Sequence, residues 1–132
     1  MRKLFLLAAG SALIATVYGC ATTEQSLRAK GLAPQTQEEL TDLFAKPVKL
    51  RFENSTGGKG TATYMPDGTG RVEWPGGSDT GRWQVKDGKI CMTWTKLRDG
   101  KENCVTSYKT GPREYTSFNS DGTLNATSTQ ID

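Results

Sequence analysis

The stretch GRWQVKDGKICMTW, residues 81–94, carries the pattern that decides the fold. Apolar residues alternate with others on both sides of Asp87-Gly88, at Trp83, Val85, Ile90, Met92 and Trp94. An Asp-Gly pair favours a tight hairpin turn because both residues tolerate positive φ. A period of two is typical of antiparallel strands with one buried face. The stretch therefore predicts a β-hairpin with one apolar face.

Three further Asp-Gly pairs follow the same logic, at residues 67–68, 99–100 and 121–122. The runs between the turns predict eight strands: Val48–Glu53, Gly60–Met65, Thr69–Trp74, Gly81–Lys86, Lys89–Trp94, Lys101–Lys109, Glu114–Asn119 and Thr123–Ile131. Short sequential turns favour an up-and-down antiparallel meander over the crossings of a sandwich. Closure would remove the exposed edges. We predict a mainly β, eight-stranded, lipocalin-like barrel, with an open curved sheet as the alternative.

One short N-terminal helix is predicted before the strands, over about residues 37–45. Thr36 and Glu39 have the spacing of a capping box. Leu40, Leu43 and Phe44 then share one helical face. Pro47 ends the helix because the residue before a proline disfavours the α region. Residues 36–132 are thus predicted to form one domain, with the helix packed on the core of the barrel.

The first residues are typical of an export signal. Met1-Arg2-Lys3 is positively charged, and Leu4–Val17 is an apolar run of 14 residues. A membrane-spanning helix needs roughly 20 such residues, so the run is too short to span. Val17-Tyr18-Gly19-Cys20 resembles the lipobox of bacterial lipoproteins, in which the cysteine is acylated and becomes the first mature residue. Ordinary signal-peptide cleavage is the alternative.

This resemblance divides the N-terminal region and implies a location. Residues 1–19 would be a lipoprotein signal peptide, and residues 20–35 an acylated cysteine followed by a flexible tether. The partner of Cys20 would be a membrane, because several acyl chains anchor a protein stably. Ala21 is not aspartate, which in such lipoproteins implies the outer membrane. We expect the domain to face the periplasm, with the cell surface as the alternative.

If Cys20 is acylated, Cys91 and Cys104 are the two remaining cysteines. They lie in adjacent predicted strands, and an even pair in an exported protein predicts a disulfide. A redox or metal pair is less favoured because the spacing is not C-x-x-C and the chain has no histidine. No metal and no cofactor are therefore expected.

The order of the motifs resembles a known family. The resemblance runs through Glu38-Glu39-Leu40, Gly60–Tyr64, Pro66–Thr69, Gly81-Arg82-Trp83, Asp87–Cys91, Trp94 and Cys104. This order is similar to domain-of-unknown-function family 995, small exported proteins mostly of alphaproteobacteria. The resemblance implies a periplasmic β-rich fold with a disulfide, and it implies no activity. A looser similarity, G-x-W followed by two cysteines, links the chain to small lipocalin-like periplasmic protease inhibitors.

Composition removes whole classes of function. The chain of 132 residues has no histidine, so a Ser-His-Asp or Cys-His nucleophile cannot be built. Without residues 1–19 the chain keeps 15 basic and 14 acidic residues, a net charge of +1. Nucleic-acid binding requires a clustered basic face, and none is indicated. The carboxylates are scattered rather than paired, so we do not expect an enzyme.

Two hypotheses for function remain. In the first, the barrel binds an apolar small molecule or an envelope component, and its interior is lined from Tyr64, Trp83, Met92, Trp94, Tyr108 and Phe118. The alternative is that these side chains simply fill the core, as in many eight-stranded barrels. In the second hypothesis the protein binds another protein, as a hydrolase inhibitor or an accessory subunit of an envelope assembly. Trp74, beside a Pro-Gly-Gly loop, would be the interface anchor.

Overall fold

The computed structural model describes residues 22–132, so the predicted signal peptide and Cys20 lie outside the described residues. Residues 22–132 form eight antiparallel strands, preceded by two α-helices. The helices are α1 (Glu24–Ala29) and α2 (Gln37–Leu43). The strands are β1 (Val48–Asn54), β2 (Lys59–Tyr64), β3 (Thr69–Trp74), β4 (Gly77–Lys86), β5 (Lys89–Trp94), β6 (Asn103–Gly111), β7 (Glu114–Phe118) and β8 (Leu124–Gln130).

The sheet closes on itself as an up-and-down barrel. Each strand pairs with the next along the chain, and β8 pairs with β1 from Leu50↔Gln130 to Asn54↔Ala126. The closure leaves no unpaired edge strand in the sheet. The predicted eight-stranded barrel is confirmed, and the open-sheet alternative is wrong.

Three of the four Asp-Gly pairs make turns of two kinds. Asp87 and Gly88 form a two-residue turn with φ of 53° and 71°, as a tight hairpin requires. Asp67 and Asp121 instead lie in longer turns and accept hydrogen bonds from the backbone N–H two residues on, at 3.0 Å in both cases. The carboxylates stabilise these turns locally, which gives the Asp-Gly-Thr pattern a structural role.

Helix α2 closes one end of the barrel, which we call the helix end; it is the end at which β1 begins. Thr36 and Glu39 form the predicted capping box, and the helix stops at Leu43, two residues earlier than predicted. The buried residues Leu40, Phe44 and Val48 form a cluster, the plug cluster. Half-buried residues that pack against it are Leu43, Leu50, Tyr64, Trp83, Val85 and Ile90. The helix therefore completes the core, as predicted.

Helix α1 corrects the sequence-based description of residues 20–35. Where a flexible tether was predicted, Thr23 caps a six-residue helix. The helix ends in a Schellman motif, in which Leu32 N–H donates to the Leu27 carbonyl at 3.1 Å and Gly31 has φ of 86°. The described part of the predicted tether is ordered because α1 packs against the barrel through Leu27.

The surface under α1 is the outer side of the barrel. Leu27, Tyr108 and Phe118 form a second buried cluster, the outer cluster, with Leu32 and Leu124 packed against it. Ser107 and Ser117, the neighbours of the two aromatic residues, line the barrel interior. Since adjacent strand residues point to opposite faces, Tyr108 and Phe118 point outward.

The other end of the barrel, the loop end, differs from the prediction at two connections. Strand β4 begins at Gly77 rather than Gly81, because Pro75-Gly76 makes the turn alone and Gly76 has φ of 93°. Strands β5 and β6 are joined by residues 95–102 and not by a tight Asp-Gly turn. This connection contains a 3₁₀ turn, Leu97–Gly100.

The predicted disulfide is confirmed. Cys91 and Cys104 are bonded and lie directly opposite each other in the β5–β6 register. Their neighbours Ile90 and Val105 line the interior, so the bond crosses the outer face. Within residues 22–132, none of the helices has the length and apolar character needed to cross a membrane.

Candidate ligand cavity

The side chains of the barrel leave an interior cavity of about 330 Å³. This volume falls at the lower end of the range for small-molecule sites, roughly 300–1,000 Å³. Strands β1, β2, β3 and β5 supply an apolar wall, made of Leu50, Phe52, Ala62, Tyr64, Val72, Ile90 and Trp94. A filled barrel would have no such space, so core filling alone does not describe this interior.

A glycine on β2 makes room for the ring of Phe52 in this wall. Gly60 lies directly opposite Phe52 in the β1–β2 register. A Cβ at residue 60 would lie 2.7 Å from Phe52 Cζ, closer than side chains tolerate. The ring therefore lies over the Gly60 backbone, and the same strand supplies only Ala62 and Tyr64 to the cavity wall.

The two ends of the cavity differ in exposure. At the helix end it is bounded by Leu43 and by Phe44, which is 4% exposed. At the loop end it is bounded by Leu97, which is 36% exposed, and by Arg98 and Asn54, which are exposed. A molecule would therefore enter beside the 3₁₀ turn and extend toward α2.

Strands β6 to β8 supply a more polar wall. Ser107, Ser117, Asn125 and Ser128 line it, together with Val105, Tyr115 and Ala126. Asn125 donates to Ser117 Oγ at 3.0 Å, and Arg98 donates to Asn125 Oδ1 at 3.3 Å. These contacts form a hydrogen-bonded path from the loop end into the cavity. The wall is thus chemically divided, with apolar strands facing polar ones.

A buried carboxylate positions the 3₁₀ turn. Asp79, 5% exposed, accepts hydrogen bonds from the backbone N–H groups of Lys96 and Leu97, both at 2.9 Å. The hydrogen bond from Leu97 is the largest of several causes that hold the pKa of Asp79 below its ordinary value. Asp79 is therefore an anionic anchor that fixes the start of the turn.

The turn itself has an unfavourable backbone. Arg98 and Asp99 have φ of 55° and 54°. A non-glycine residue in this left-handed region costs about 1–2 kcal/mol. The hydrogen bonds to Asp79 help to offset this cost, and they keep Arg98 at the opening of the cavity.

The six residues predicted to line the interior lie in four different places. Tyr64 and Trp94 line the cavity. Trp83 packs against the plug cluster, where its ring centroid lies 4.9 Å from that of Phe44. Met92 is buried, and it would meet a Cβ at Gly70 at 2.7 Å, so it fills interior space over β3.

The prediction is wrong for Tyr108 and Phe118, which belong to the outer cluster and not to the cavity lining. Large aromatic residues were assigned to the interior because most pack into a core. Here α1 gives them a second apolar environment on the outer face. The sequence alone did not reveal that environment, since α1 was taken for a tether.

Sequence reasoning missed several lining residues. Phe52 alternates with charged neighbours and could have been found from that pattern. Ser117 and Asn125 carry no such signal, because polar residues in a strand normally predict a solvent-facing side. Arg98 was not predicted to line the cavity because a tight turn was expected at Asp99-Gly100.

Trp74, the predicted interface anchor, ends β3 at the loop end and is half-buried. Its ring lies beside Gly77, where a Cβ would be 2.8 Å from Trp74 Cζ2. Part of the Trp74 ring therefore packs against the β3–β4 turn. Its role in binding another protein stays a prediction.

Glu102 lies beside the disulfide, with its Oε1 3.5 Å from Cys104 Sγ. Both sulfurs are already bonded to each other, so neither is a thiolate that could bind a metal. Glu102 is held by Lys86 at 2.9 Å, and this hydrogen bond is the main cause that lowers the pKa of the carboxyl. The group is an ion pair next to a disulfide.

Comparison with protein-family models, with curated proteins and with solved structures finds no match for the chain. The resemblances drawn from the sequence therefore stay predictions, and the case for function depends on the geometry of the barrel.

Proposed function

We propose that this protein is a non-catalytic, lipid-anchored envelope protein whose barrel binds a small apolar molecule. The observation that carries the proposal is the cavity of about 330 Å³ with its apolar wall on β1, β2, β3 and β5. Ligand sites are typically concave and mostly apolar, with a few placed polar groups. The serine and asparagine side chains of β6 to β8 supply such groups.

The anchor in this proposal is Cys20, acylated after removal of residues 1–19, and the location is the outer membrane facing the periplasm. The order of α1 adds a constraint. Thr23, the cap of α1, lies three positions after Cys20. An extended chain spans at most about 3.6 Å per residue, so the attachment point is within about 11 Å of the helix. The barrel would therefore be held close to the lipid surface rather than at the end of a long tether.

Native mass spectrometry of the protein released gently from its own membranes tests both parts. We expect acyl chains on Cys20 and a small molecule retained by a fraction of the protein. An unmodified N-terminus would contradict the anchor. A bare protein would not by itself exclude a weak ligand, so a matched pair of variants is needed.

Ala126 and Thr127 are neighbours on β8 that face opposite sides of the barrel. Ala126 lines the cavity, whereas Thr127 is exposed on the outside. Ala126→Leu should fill part of the cavity and weaken binding of an apolar fluorescent probe about tenfold, while Thr127→Leu should leave it unchanged. Equal binding by both variants and by the wild type, with unchanged melting temperatures, would contradict an interior site.

A further inference from the structure

The two ends of the cavity differ in polarity, which bears on the class of ligand, and this inference rests on the proposed function. The helix end is apolar, since Leu43, Phe44 and Leu50 bound it. The polar path from Ser117 through Asn125 to Arg98 lies toward the loop end. A ligand that suits both ends must be apolar at one end and polar at the other.

Arg98 determines the sign of charge that the polar end would accept. Among the described residues the ion pairs join Arg28 to Glu24, Arg71 to Glu73 and Lys86 to Glu102, and Arg98 is in none of them. Its hydrogen bond goes to the neutral side chain of Asn125. An anionic group at the opening would gain a charge-assisted hydrogen bond from Arg98, which is stronger than one between neutral groups.

The other charges near the opening do not cancel this preference. Lys96 and Lys101 flank the turn, and Asp99 lies next to Arg98. Asp121 faces it from the β7–β8 turn, and it is already held by Thr123, whose hydroxyl and N–H both donate to Asp121 Oδ1. These hydrogen bonds are the main causes of its lowered pKa, with the charge of Arg98 a minor one. With Asp79, three cations and three carboxylates surround the turn, but Arg98 is the one charged residue of this group that lines the cavity. Asp79 and Asp121 already accept hydrogen bonds from the turns that they stabilise.

We infer that the ligand is a single-chain amphiphile with an anionic head group, bound with its tail toward α2 and its head at Arg98. The small volume favours one chain over a bulky ring system. A carboxylate and a phosphate monoester share the chemistry that Arg98 recognises. Fatty acids and alkyl phosphates are therefore the two sources to distinguish.

The test compares three probes of equal tail length: dodecanoate, dodecyl phosphate and dodecanol. The full chain is purified in digitonin, whose rigid steroid and large sugar head are too bulky for this cavity. Binding is followed by calorimetry and by tryptophan fluorescence, since Trp94 lines the cavity. We expect at least one anion to bind more tightly than dodecanol. The tighter anion identifies the source.

Variants at the turn locate the head group. Arg98→Gln should weaken binding of the preferred anion about tenfold, bring it close to dodecanol, and leave dodecanol unchanged. Arg98→Lys should keep the preference for the anion. Lys101→Gln is the matched control because Lys101 is exposed, near the turn, and does not line the cavity.

Two results would overturn the inference, and they have different consequences for the proposed function. Equal binding of dodecanol and both anions, or no effect of Arg98→Gln, would remove the anionic head group but leave an apolar ligand site. No binding of any probe, with Ala126→Leu also silent toward the fluorescent probe, would overturn the proposed function as well.

Discussion

Helices α1 and α2 are similar in sequence terms and opposite in structural role. Each begins with a threonine in a capping box, at Thr23 and Thr36, and each buries one leucine, Leu27 and Leu40. Helix α2 closes the barrel and shares its core, whereas α1 covers two aromatic residues on the outside. A short capped helix with one buried leucine can thus be part of the core or can cover an outer surface. The apolar residues that it packs against determine which role it has.

The largest effect is expected at the plug cluster. Leu40 has no exposed surface and packs with Phe44 and Val48. Leu40→Ala would leave a space at the end of the barrel and should lower the free energy of unfolding by about 2–5 kcal/mol. Denaturant unfolding measures this change, and Asp42→Ala, exposed on the same helix, is the control. An unchanged midpoint for Leu40→Ala would mean that α2 is not part of the core.

A smaller and more local effect is expected at the outer cluster. Leu27→Ala should cost about 2 kcal/mol, the low end for a buried leucine, because a surface helix can detach while the barrel stays folded. Hydrogen exchange should speed up at residues 24–29 and stay slow in the strands. The exposed Gln25→Ala is the control. If hydrogen exchange speeds up equally in α1 and in the strands, α1 unfolds together with the barrel, and the proposed difference between the two helices is wrong.

The sequence was sufficient for α2 and insufficient for α1. Thr36 and Glu39 gave a full capping signature, and three apolar residues followed with helical spacing. Helix α1 has six residues and one buried leucine, too short for periodicity to register. Its available signals were Thr23 at the start and Gly31-Leu32 at the end, which match a cap and a Schellman motif.

The barrel and the disulfide were predictable because local rules determine them. The alternation of apolar and polar residues predicted which side of β4 and β5 faces inward. The expected export of the protein, together with the even number of cysteines left beside Cys20, predicted the disulfide. The cavity required distant contacts. Arg98 reaches the opening because Asp79, 19 positions earlier on β4, holds the turn through backbone N–H groups. No residue pattern within the turn encodes a partner on another strand.

The smallest effect on stability is expected from removing the hydroxyl of a tyrosine at each cluster, Tyr108 or Tyr64. In the outer cluster the Tyr108 hydroxyl donates to Glu24 Oε2 at 2.7 Å and accepts from Arg28 Nε at 3.0 Å. Beside the plug cluster Tyr64 packs edge-on against Phe44 and Trp83, with no hydrogen bond from its hydroxyl among the described contacts. Tyr108→Phe should therefore lower stability by about 1 kcal/mol, and Tyr64→Phe should leave it nearly unchanged at neutral pH.

The two substitutions should separate further in alkali. Burial raises the pKa of Tyr64 from 10.0 to about 12. Because the folded protein holds this proton more tightly than the unfolded chain, the stability that it contributes is complete below pH 10 and is lost between pH 10 and 12. Tyr64→Phe should remove that part of the alkaline loss, as measured by urea unfolding across this range. If Tyr64→Phe and wild type lose stability in parallel, the ring of Tyr64 is solvated through the cavity, and the helix end is more open than α2 makes it.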